Sequence, residues 1–376
     1  MEYPVRGDQT AEVATLYFRL FDCWRMSAAL LVMTYHYLFW APVGGVEAAD
    51  FMRRLLPLLD MFFMISGFVI TERYGTRIAS LGDFARFLRR RVARLYPLHF
   101  VTTMFFAAVA VFAWAIGAHH YPYAEELAAL PYHLVAIHAL GVTDTLNLNY
   151  VTWSVSAEFF SYAMFPLIVI ALRARGTTGL VLLVLAYLVG LEIASAAGVF
   201  PKGHWTEADT FGAYRAFADF MIGGLIAQIV ARRLVDIRSH GPGLCLLALA
   251  VIAMLFKAPW YVPFALIALS LTATALAETA RPESTAALHP LMRITSASFG
   301  VYIWHPIMEF VFFTVLWSRY LVHWDGVNFY AFALLPMLST IAIAILSQRF
   351  VEPGLGRLIK GRGGRAETAS PAQAPA

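Results

Sequence analysis

Two ionisable residues in one apolar segment are the first candidates for chemistry. Residues 22–37 read DCWRMSAALLVMTYHY, with Arg25 near one end and His36 near the other. Positions eleven apart in a helix differ by three turns plus roughly 20°, so both side chains face one side, about 16 Å apart along the axis. Arginine suits an anionic ligand and histidine suits proton transfer near neutral pH. For either residue alone, an interfacial or packing role is the simpler interpretation, but the shared face favours function.

The composition indicates that this segment lies in a membrane. The 376 residues are 60% hydrophobic and only 14% charged, whereas a soluble domain carries about 25% charged residues. Several apolar runs reach the roughly 18 residues that cross a bilayer. Cys23 and Cys245 do not make a disulfide framework, and the scattered histidines predict no metal site. We therefore predict an all-α, polytopic membrane protein.

Ten transmembrane helices are expected. Their ranges are roughly 21–40, 56–74, 95–118, 153–173, 178–197, 211–231, 242–257, 260–278, 296–318 and 328–348. Residues 124–142, which Pro131 interrupts, are expected to form an interfacial or re-entrant segment. We accordingly predict a cytoplasmic N-terminal segment at 1–20, a ten-helix domain at 21–350 and a cytoplasmic tail at 351–376, disordered after about residue 361.

The distribution of basic residues predicts the orientation. With both termini in the cytoplasm, all but six of the 28 Lys and Arg residues fall on the cytoplasmic side. The six exceptions are Arg53, Arg54, Lys202, Arg215, Lys257 and Arg319. This asymmetry supports an even number of spans, and it explains the isoelectric point near 9.0 without a nucleic-acid partner.

An arginine cluster lies at the predicted cytoplasmic face, between residues 86 and 94. Arg91 and Arg94 are three positions apart and project from one face if the third span begins early, as we expect. Orientation of the chain explains some of these arginines, but five in nine residues exceed what orientation needs. Because guanidinium groups bind phosphate through paired hydrogen bonds, the cluster suits a phosphate-bearing ligand.

A second polar set is expected in the outer half of the spans. It contains His36, Asp60, Glu158, Arg215 and His305. A carboxylate such as Glu158, inside a span and among aromatic residues, needs a specific partner. Asp60 and Arg215 could equally form a structural ion pair or take part in catalysis. His305 could do no more than repair the break that the following proline makes in the helix.

Together, these features predict a polar path with a basic mouth and a histidine–carboxylate cluster. One class that fits is an enzyme that takes a phosphorylated donor from the cytoplasm and acts on a molecule in or beyond the membrane. The alternative is a proton-coupled transporter or flippase of a sugar or glycolipid, with histidines and carboxylates as the relay. A scaffold role gives no reason for His and Glu residues inside spans.

Seven motifs, in this order and spacing, are similar to those of one known family. They are the Arg25–His36 pair, LLDMFFMISGFVI at 58–70, RRRVARLYP at 89–97, WSVSAEFFSY at 153–162, the segment with Arg215 and Gly223, SFGVYIWHP around His305, and FVEPGLGRL around Glu352. From about residue 18 to 358, the chain thus resembles the integral-membrane acyltransferase-3 family. It departs from the family at Cys23, Trp24, Met26 and Leu58, where glycines are usual.

The resemblance implies a membrane O-acyltransferase in a bacterial inner or plasma membrane. Its co-substrate would be a cytoplasmic acyl-CoA, chiefly acetyl-CoA, with no bound cofactor. Its acceptor would be a hydroxyl of an exported polysaccharide, a glycolipid or a related molecule. The expected partners are therefore the lipid bilayer, acyl-CoA and a carbohydrate. Direct transfer and an acyl-histidine intermediate are both compatible with the motifs.

The resemblance also suggests a role for each candidate residue. His36 would be the general base, because an alcohol attacking a thioester must lose its proton near neutral pH. Glu158, or alternatively Asp60, would orient the imidazole or the acceptor. The remaining candidates are Arg25, Arg91 and Arg94 for donor binding, and Ser66, His305 and Arg215 for oxyanion or acceptor contacts.

Overall fold

The computed structural model describes residues 18–42, 44–118, 121–207, 210–324 and 326–360. Within these ranges 79% of the residues are helical and none is in a β-strand. The α-helices are α1 Arg19–Leu38, α2 Gly45–Arg53, α3 Asp60–Tyr74, α4 Leu81–Ala115, α5 Tyr123–Leu134, α6 Trp153–Ala196, α7 Gly212–Arg232, α8 Gly241–Leu255, α9 Tyr261–Ala280, α10 Met292–Thr295, α11 Ser298–Glu309, α12 Phe329–Leu346 and α13 Glu352–Lys360. Three 3-10 segments and two π-helical segments join them: Leu56–Leu59, Tyr150–Thr152, Pro282–Leu291, Phe310–Leu321 and Ser347–Val351.

The all-α, multi-pass prediction is confirmed. Six helical stretches of the described chain are long and apolar enough to cross a membrane, and a seventh results if the bent pair Gly45–Arg53 and Leu56–Tyr74 counts as one span. Each of the ten predicted intervals contains a helix. However, α1 is not among the six, and α8 has only 15 residues. The count of ten and the cytoplasmic termini therefore stay predictions.

Helix α6 covers two predicted spans. Its 44 residues are interrupted at Arg175 and Gly176, where the backbone leaves helical geometry, and Gly176 has φ 59° and ψ −145°. Glycine adopts this conformation without the steric penalty that a Cβ would bring. The break falls between the predicted spans 153–173 and 178–197, so the two predicted helices follow each other without a loop.

Helix α4 begins well before the predicted start at residue 95. Ser80 caps it: the Ser80 Oγ accepts from the Asp83 backbone N–H at 3.2 Å, and Asp83 Oδ2 accepts from the Ser80 backbone N–H at 2.9 Å. This capping box satisfies two donors that a helix start leaves unpaired. As expected from an early start, Arg91 and Arg94 both lie on the helix.

The closest helix pair is α3 with α7. Gly67 and Gly223 allow the contact, because a Cβ on Gly67 would collide with the backbone carbonyl of Phe220, and a Cβ on Gly223 with that of Met64. Helix α7 also packs against α6, and α1 packs against α11. The second pairing brings residues that are far apart in sequence to one site.

Two segments bear on the predicted boundaries. Helix α5, with 12 residues, occupies the segment predicted to be interfacial or re-entrant. Helix α13 packs on α4, with Gly356 against the Ala93 carbonyl, so helical structure continues past residue 350. The predicted disorder after about residue 361, and the segment 1–17, lie outside the described residues.

Candidate active site

Two histidines meet where α1 packs against α11. His36, in the last turn of α1, has its Nδ1 atom 2.8 Å from Nε2 of His305 in α11. The two rings are nearly parallel, with an interplanar angle of 22° and centroids 5.1 Å apart. His305 is fully buried, whereas His36 is half-buried. The structure thus brings together the predicted base and one of the predicted oxyanion donors.

A tyrosine contacts the same nitrogen of His36, and a glutamate in turn contacts that tyrosine. Tyr150 lies in the 3-10 segment before α6, and its hydroxyl oxygen is 3.0 Å from His36 Nδ1. The same hydroxyl donates to Glu309 Oε2 at 2.5 Å, and the other oxygen of Glu309 accepts from Trp40 Nε1 at 2.9 Å. Glu309 follows His305 by one turn of α11, so one helix supplies both contacts.

These contacts assign the protons of His36. Tyr150 has one hydroxyl proton, and its bond to Glu309 uses that proton. The Tyr150 oxygen can then only accept from His36, so His36 carries its proton on Nδ1. Nε2 of His36 is left unprotonated, which is the form a general base requires. The tautomer follows from the hydrogen-bond network rather than from observed hydrogens.

His305 fits the same assignment. Its ring lies against the backbone carbonyls of Val301 and Tyr302, and the Tyr302 carbonyl is the one that Pro306 leaves without its helical donor. With the His36 proton on Nδ1, Nε2 of His305 is the acceptor, and Nδ1 of His305 makes no hydrogen bond among the described residues. The Tyr37 hydroxyl also donates to the His305 carbonyl at 3.3 Å. His305 therefore contacts His36, and its repair of the helix break stays a prediction.

The predicted donor-binding arginines line a separate cavity of about 300 Å³. Its charged lining consists of Asp22, Arg25, Glu72, Arg73, Arg91, Arg94 and Glu158. Many protein atoms surround Arg94, yet its side chain is exposed to the cavity. Four arginines facing three carboxylates give the lining a net positive charge, which suits an anionic ligand.

Arg91 is held rigidly at the cavity wall. It is buried, donates to the Tyr74 hydroxyl at 3.2 Å, and lies over the rings of Tyr74 and Phe87. Arg25 forms a 3.9 Å ion pair with Asp22 one turn earlier in α1. These contacts restrict both guanidinium groups before a ligand binds, which lowers the entropic cost of binding.

Glu158 and Ser66 belong to this cavity and not to the histidine pair. The Ser66 hydroxyl donates to Glu158 Oε2 at 3.0 Å and lies 3.5 Å from the Tyr162 hydroxyl. The predicted contact between Glu158 and the His36 imidazole is therefore not made in this structure. Glu158 instead shares its cavity with Arg25, Arg91 and Arg94.

Asp60 likewise lies apart from His36. It forms a buried ion pair with Arg215, at 2.7 Å from Nη2 and 2.9 Å from Nε. Arg215 also donates to the Thr206 carbonyl, and the buried carboxyl of Asp219 lies near Asp60. Asp60 and Arg215 thus form the ion pair that one of the two interpretations expects. Sequence reasoning overlooked Asp219.

A second cavity, of about 60 Å³, adjoins the first and is mainly apolar. Tyr302 forms its wall on the side of the histidines, with its ring centroid 5.9 Å from that of His305. Among the described residues that line either cavity, neither His36 nor His305 occurs. The Tyr302 ring therefore lies between the two cavities and the histidine pair.

Sequence reasoning missed Tyr150, Glu309 and Trp40. A signal for Glu309 existed, because a carboxylate inside a predicted span is expensive and needs a partner. Tyr150 precedes the motif WSVSAEFFSY by three residues and was indistinguishable from an ordinary interfacial aromatic. Among the described residues, no group of three or more His, Cys, Asp or Glu side chains could hold a metal ion.

Comparisons with known proteins identify the family. The sequence model of one family, described as an acyltransferase domain, matches residues 19–348. The chain therefore belongs to the acyltransferase-3 family. It is 26% identical over 369 residues to the Bacillus subtilis (strain 168) protein named "Putative peptidoglycan O-acetyltransferase YrhL", covering 88% of this chain and 54% of that protein. The chain thus spans about half the length of this curated relative. No solved structure matched the chain.

Proposed function

We propose that the protein transfers an acyl group, chiefly acetyl, from cytoplasmic acyl-CoA to a hydroxyl of an exported polysaccharide, glycolipid or related acceptor. The observation that carries the proposal is the free Nε2 of His36, which Tyr150 and Glu309 leave unprotonated. The family supplies the reaction class. The printed name of the Bacillus subtilis relative refers to O-acetylation of peptidoglycan, whose hydroxyls are of the proposed acceptor type.

The arginine-lined cavity supports CoA as the donor. CoA carries three phosphate groups, and Arg25, Arg91 and Arg94 offer guanidinium groups that can each make two parallel bonds to phosphate oxygens. All three arginines belong to the set that the charge distribution predicts to be cytoplasmic, where acyl-CoA is made. The proposed location is accordingly a bacterial inner or plasma membrane.

In the proposed reaction, His36 takes and then returns one proton. The Tyr302 ring has to turn aside first, because it separates the cavities from His36. Nε2 then removes the proton of the acceptor hydroxyl while the oxygen attacks the thioester carbonyl carbon, forming the new C–O bond. Collapse of the tetrahedral intermediate breaks the C–S bond and releases the CoA thiolate. The thiolate takes up one proton, and His36 gives up the proton it removed, so the ring is neutral again and the protons balance.

The intermediate needs a hydrogen-bond donor for its oxyanion. Ser66 lies in the cavity, with its hydroxyl beside Glu158, whereas the His305 ring is occupied by His36. We therefore favour Ser66 of the two predicted donors, with its hydroxyl proton turned from Glu158 to the oxyanion in the transition state. Glu158 would hold that hydroxyl in place until then and would not act on the imidazole.

Acyl transfer in inside-out membrane vesicles tests the proposal. Wild type given labelled acetyl-CoA should place label in a glycan or lipid fraction, and His36→Ala should reduce the rate by about 10²-fold or more. His240→Ala, a histidine outside the site, is the matched control and should behave as wild type. Normal transfer by His36→Ala would refute the base assignment. Movement of a sugar or glycolipid without consumption of acyl-CoA would favour the transporter instead.

A further inference from the structure

The small apolar cavity adjoins the arginine-lined cavity and shares four lining residues with it. We call it the apolar pocket; it is lined by Leu59, Phe62, Phe63, Leu95, Trp153, Ser154, Val155, Glu158, Phe299 and Tyr302. Phe62, Leu95, Glu158 and Phe299 line both cavities. A molecule whose charged end binds the arginines can therefore reach the apolar pocket with its other end.

The order of residues along the helices gives the direction of this path. On α3 the lining passes from Phe63 in the apolar pocket to Arg73 in the arginine-lined cavity. On α6 it passes likewise from Trp153 to Tyr162, and on α11 it passes from Tyr302 back to Ser298, against the chain direction. Three helices thus agree that the apolar pocket is the deep end, which Tyr302 separates from His305.

The volume of the apolar pocket limits what it can hold. A cavity of about 150 Å³ in a protein core binds benzene, which has six carbon atoms. By the same ratio, about 60 Å³ holds two or three heavy atoms. Its walls do not yield easily, because the Trp153 ring packs on Phe63 at 5.8 Å and lies against Gly212 of α7. A long acyl chain would not fit without movement of these side chains.

We propose that the apolar pocket holds the acyl group of the donor thioester and restricts it to two or three carbon atoms. The inference rests on the proposed function, since it takes acyl-CoA as the ligand of the arginine-lined cavity. Phe63 and Val155 are then specificity-determining residues, because both line the apolar pocket and neither lines the arginine-lined cavity.

Binding of CoA thioethers tests the assignment without any acceptor. The purified full-length chain in detergent is titrated with free CoA and with S-ethyl-, S-butyl- and S-hexyl-CoA in a calorimeter. S-ethyl-CoA should bind at least as tightly as CoA, and S-hexyl-CoA about tenfold or more weakly, because overpacking a filled site is unfavourable. Phe63→Leu should remove most of that penalty. Val155→Leu, which fills the apolar pocket, should weaken binding of S-ethyl-CoA relative to CoA.

Phe165→Leu is the matched control. Phe165 is fully buried in α6 and lines neither cavity, so this variant should leave the order of affinities unchanged. If CoA binds wild type and affinity is independent of chain length, the acyl assignment is wrong while the donor site stands. The same conclusion follows if Phe63→Leu and Phe165→Leu change selectivity equally. If free CoA does not bind at all, the proposed donor is wrong and the acyl assignment falls with it.

Discussion

Nδ1 of His36 lies 2.8 Å from Nε2 of His305, a contact that joins α1 to α11 across 269 positions of the chain. Tyr150 approaches the same Nδ1 atom at 3.0 Å. Two neighbours on one nitrogen fix both the tautomer and the orientation of the ring. The second nitrogen, Nε2, stays available to an acceptor hydroxyl.

Removal of the Tyr150 hydroxyl should impair proton transfer by His36 without affecting the binding of acyl-CoA. Tyr150→Phe should lower kcat about 10- to 100-fold, a part of what general base catalysis contributes. KM for acyl-CoA should be unchanged, and the pH dependence of kcat should shift. Glu309→Gln keeps an acceptor for Tyr150 and should be milder than Glu309→Ala. Tyr330→Phe, at an exposed tyrosine, is the control. A rise in KM with unchanged kcat would contradict the positioning role.

Loss of an arginine in the cavity should weaken donor binding. Arg94→Ala should raise the dissociation constant of CoA about 10- to 100-fold, because a hydrogen bond between charged groups contributes about 1.5–3 kcal/mol. Arg94→Lys keeps the charge but not the paired hydrogen-bond geometry, so its dissociation constant should lie between those of wild type and Arg94→Ala. Arg89→Ala, at an exposed position that does not line the cavity, should bind CoA normally. Equal affinities for all four proteins would mean that the arginines serve only to orient the chain.

In the cluster of Asp60, Arg215 and Asp219, loss of the arginine and loss of the Asp219 charge should have opposite effects on stability. Arg215→Gln leaves the Asp60 carboxylate buried without a cation, which should lower the free energy of unfolding by about 3–5 kcal/mol. Asp219→Asn should be neutral or stabilising, because its amide can donate to Asp60 whereas an ionised carboxylate cannot. Thermal unfolding in detergent compares them. Equal destabilisation by both changes would show that Asp219 also needs its charge.

The glycine contact between α3 and α7 should be intolerant of a methyl group. Gly67→Ala forces a Cβ into the Phe220 carbonyl, and we expect a loss of about 1–3 kcal/mol of stability. Gly190→Ala, in α6 with open space around it, should gain up to about 1 kcal/mol through helix propensity. The difference in unfolding temperature measures the contact. Identical temperatures would mean that the two helices can separate at little cost.

Much of the fold could be predicted, because composition and charge report directly on the solvent around each segment. The capping box at Ser80 and Asp83 is also a sequence pattern that predicts a helix start, and it would have placed the start of α4 at residue 81 rather than 95. The backbone break at Gly176 was a less certain signal. Apolar periodicity alone does not tell a short loop from a kink inside one long helix.

Several candidate residues could be named from the sequence, but their pairing could not. Position within a predicted span placed Asp60 and Glu158 in the same half of the membrane as His36. Which helices pack together is not contained in a single sequence. In the structure α11 supplies His305 to His36, the segment before α6 supplies Tyr150, and Glu158 lies at the arginine-lined cavity.

The position of the Tyr302 ring between donor and acceptor bears on how much charge crosses the membrane in each turnover. Under the proposed orientation the acyl group leaves CoA on one side of this ring and reaches an acceptor on the other, so an acylium equivalent moves outward. If the proton that His36 removes crosses to the thiolate, no net charge moves. If that proton is released outside instead, one positive charge crosses in each turnover, against about 2.3 kcal/mol per 100 mV of membrane potential. The dependence of the transfer rate on voltage would then show on which side the proton is released. It would also show whether the membrane potential slows acyl transfer.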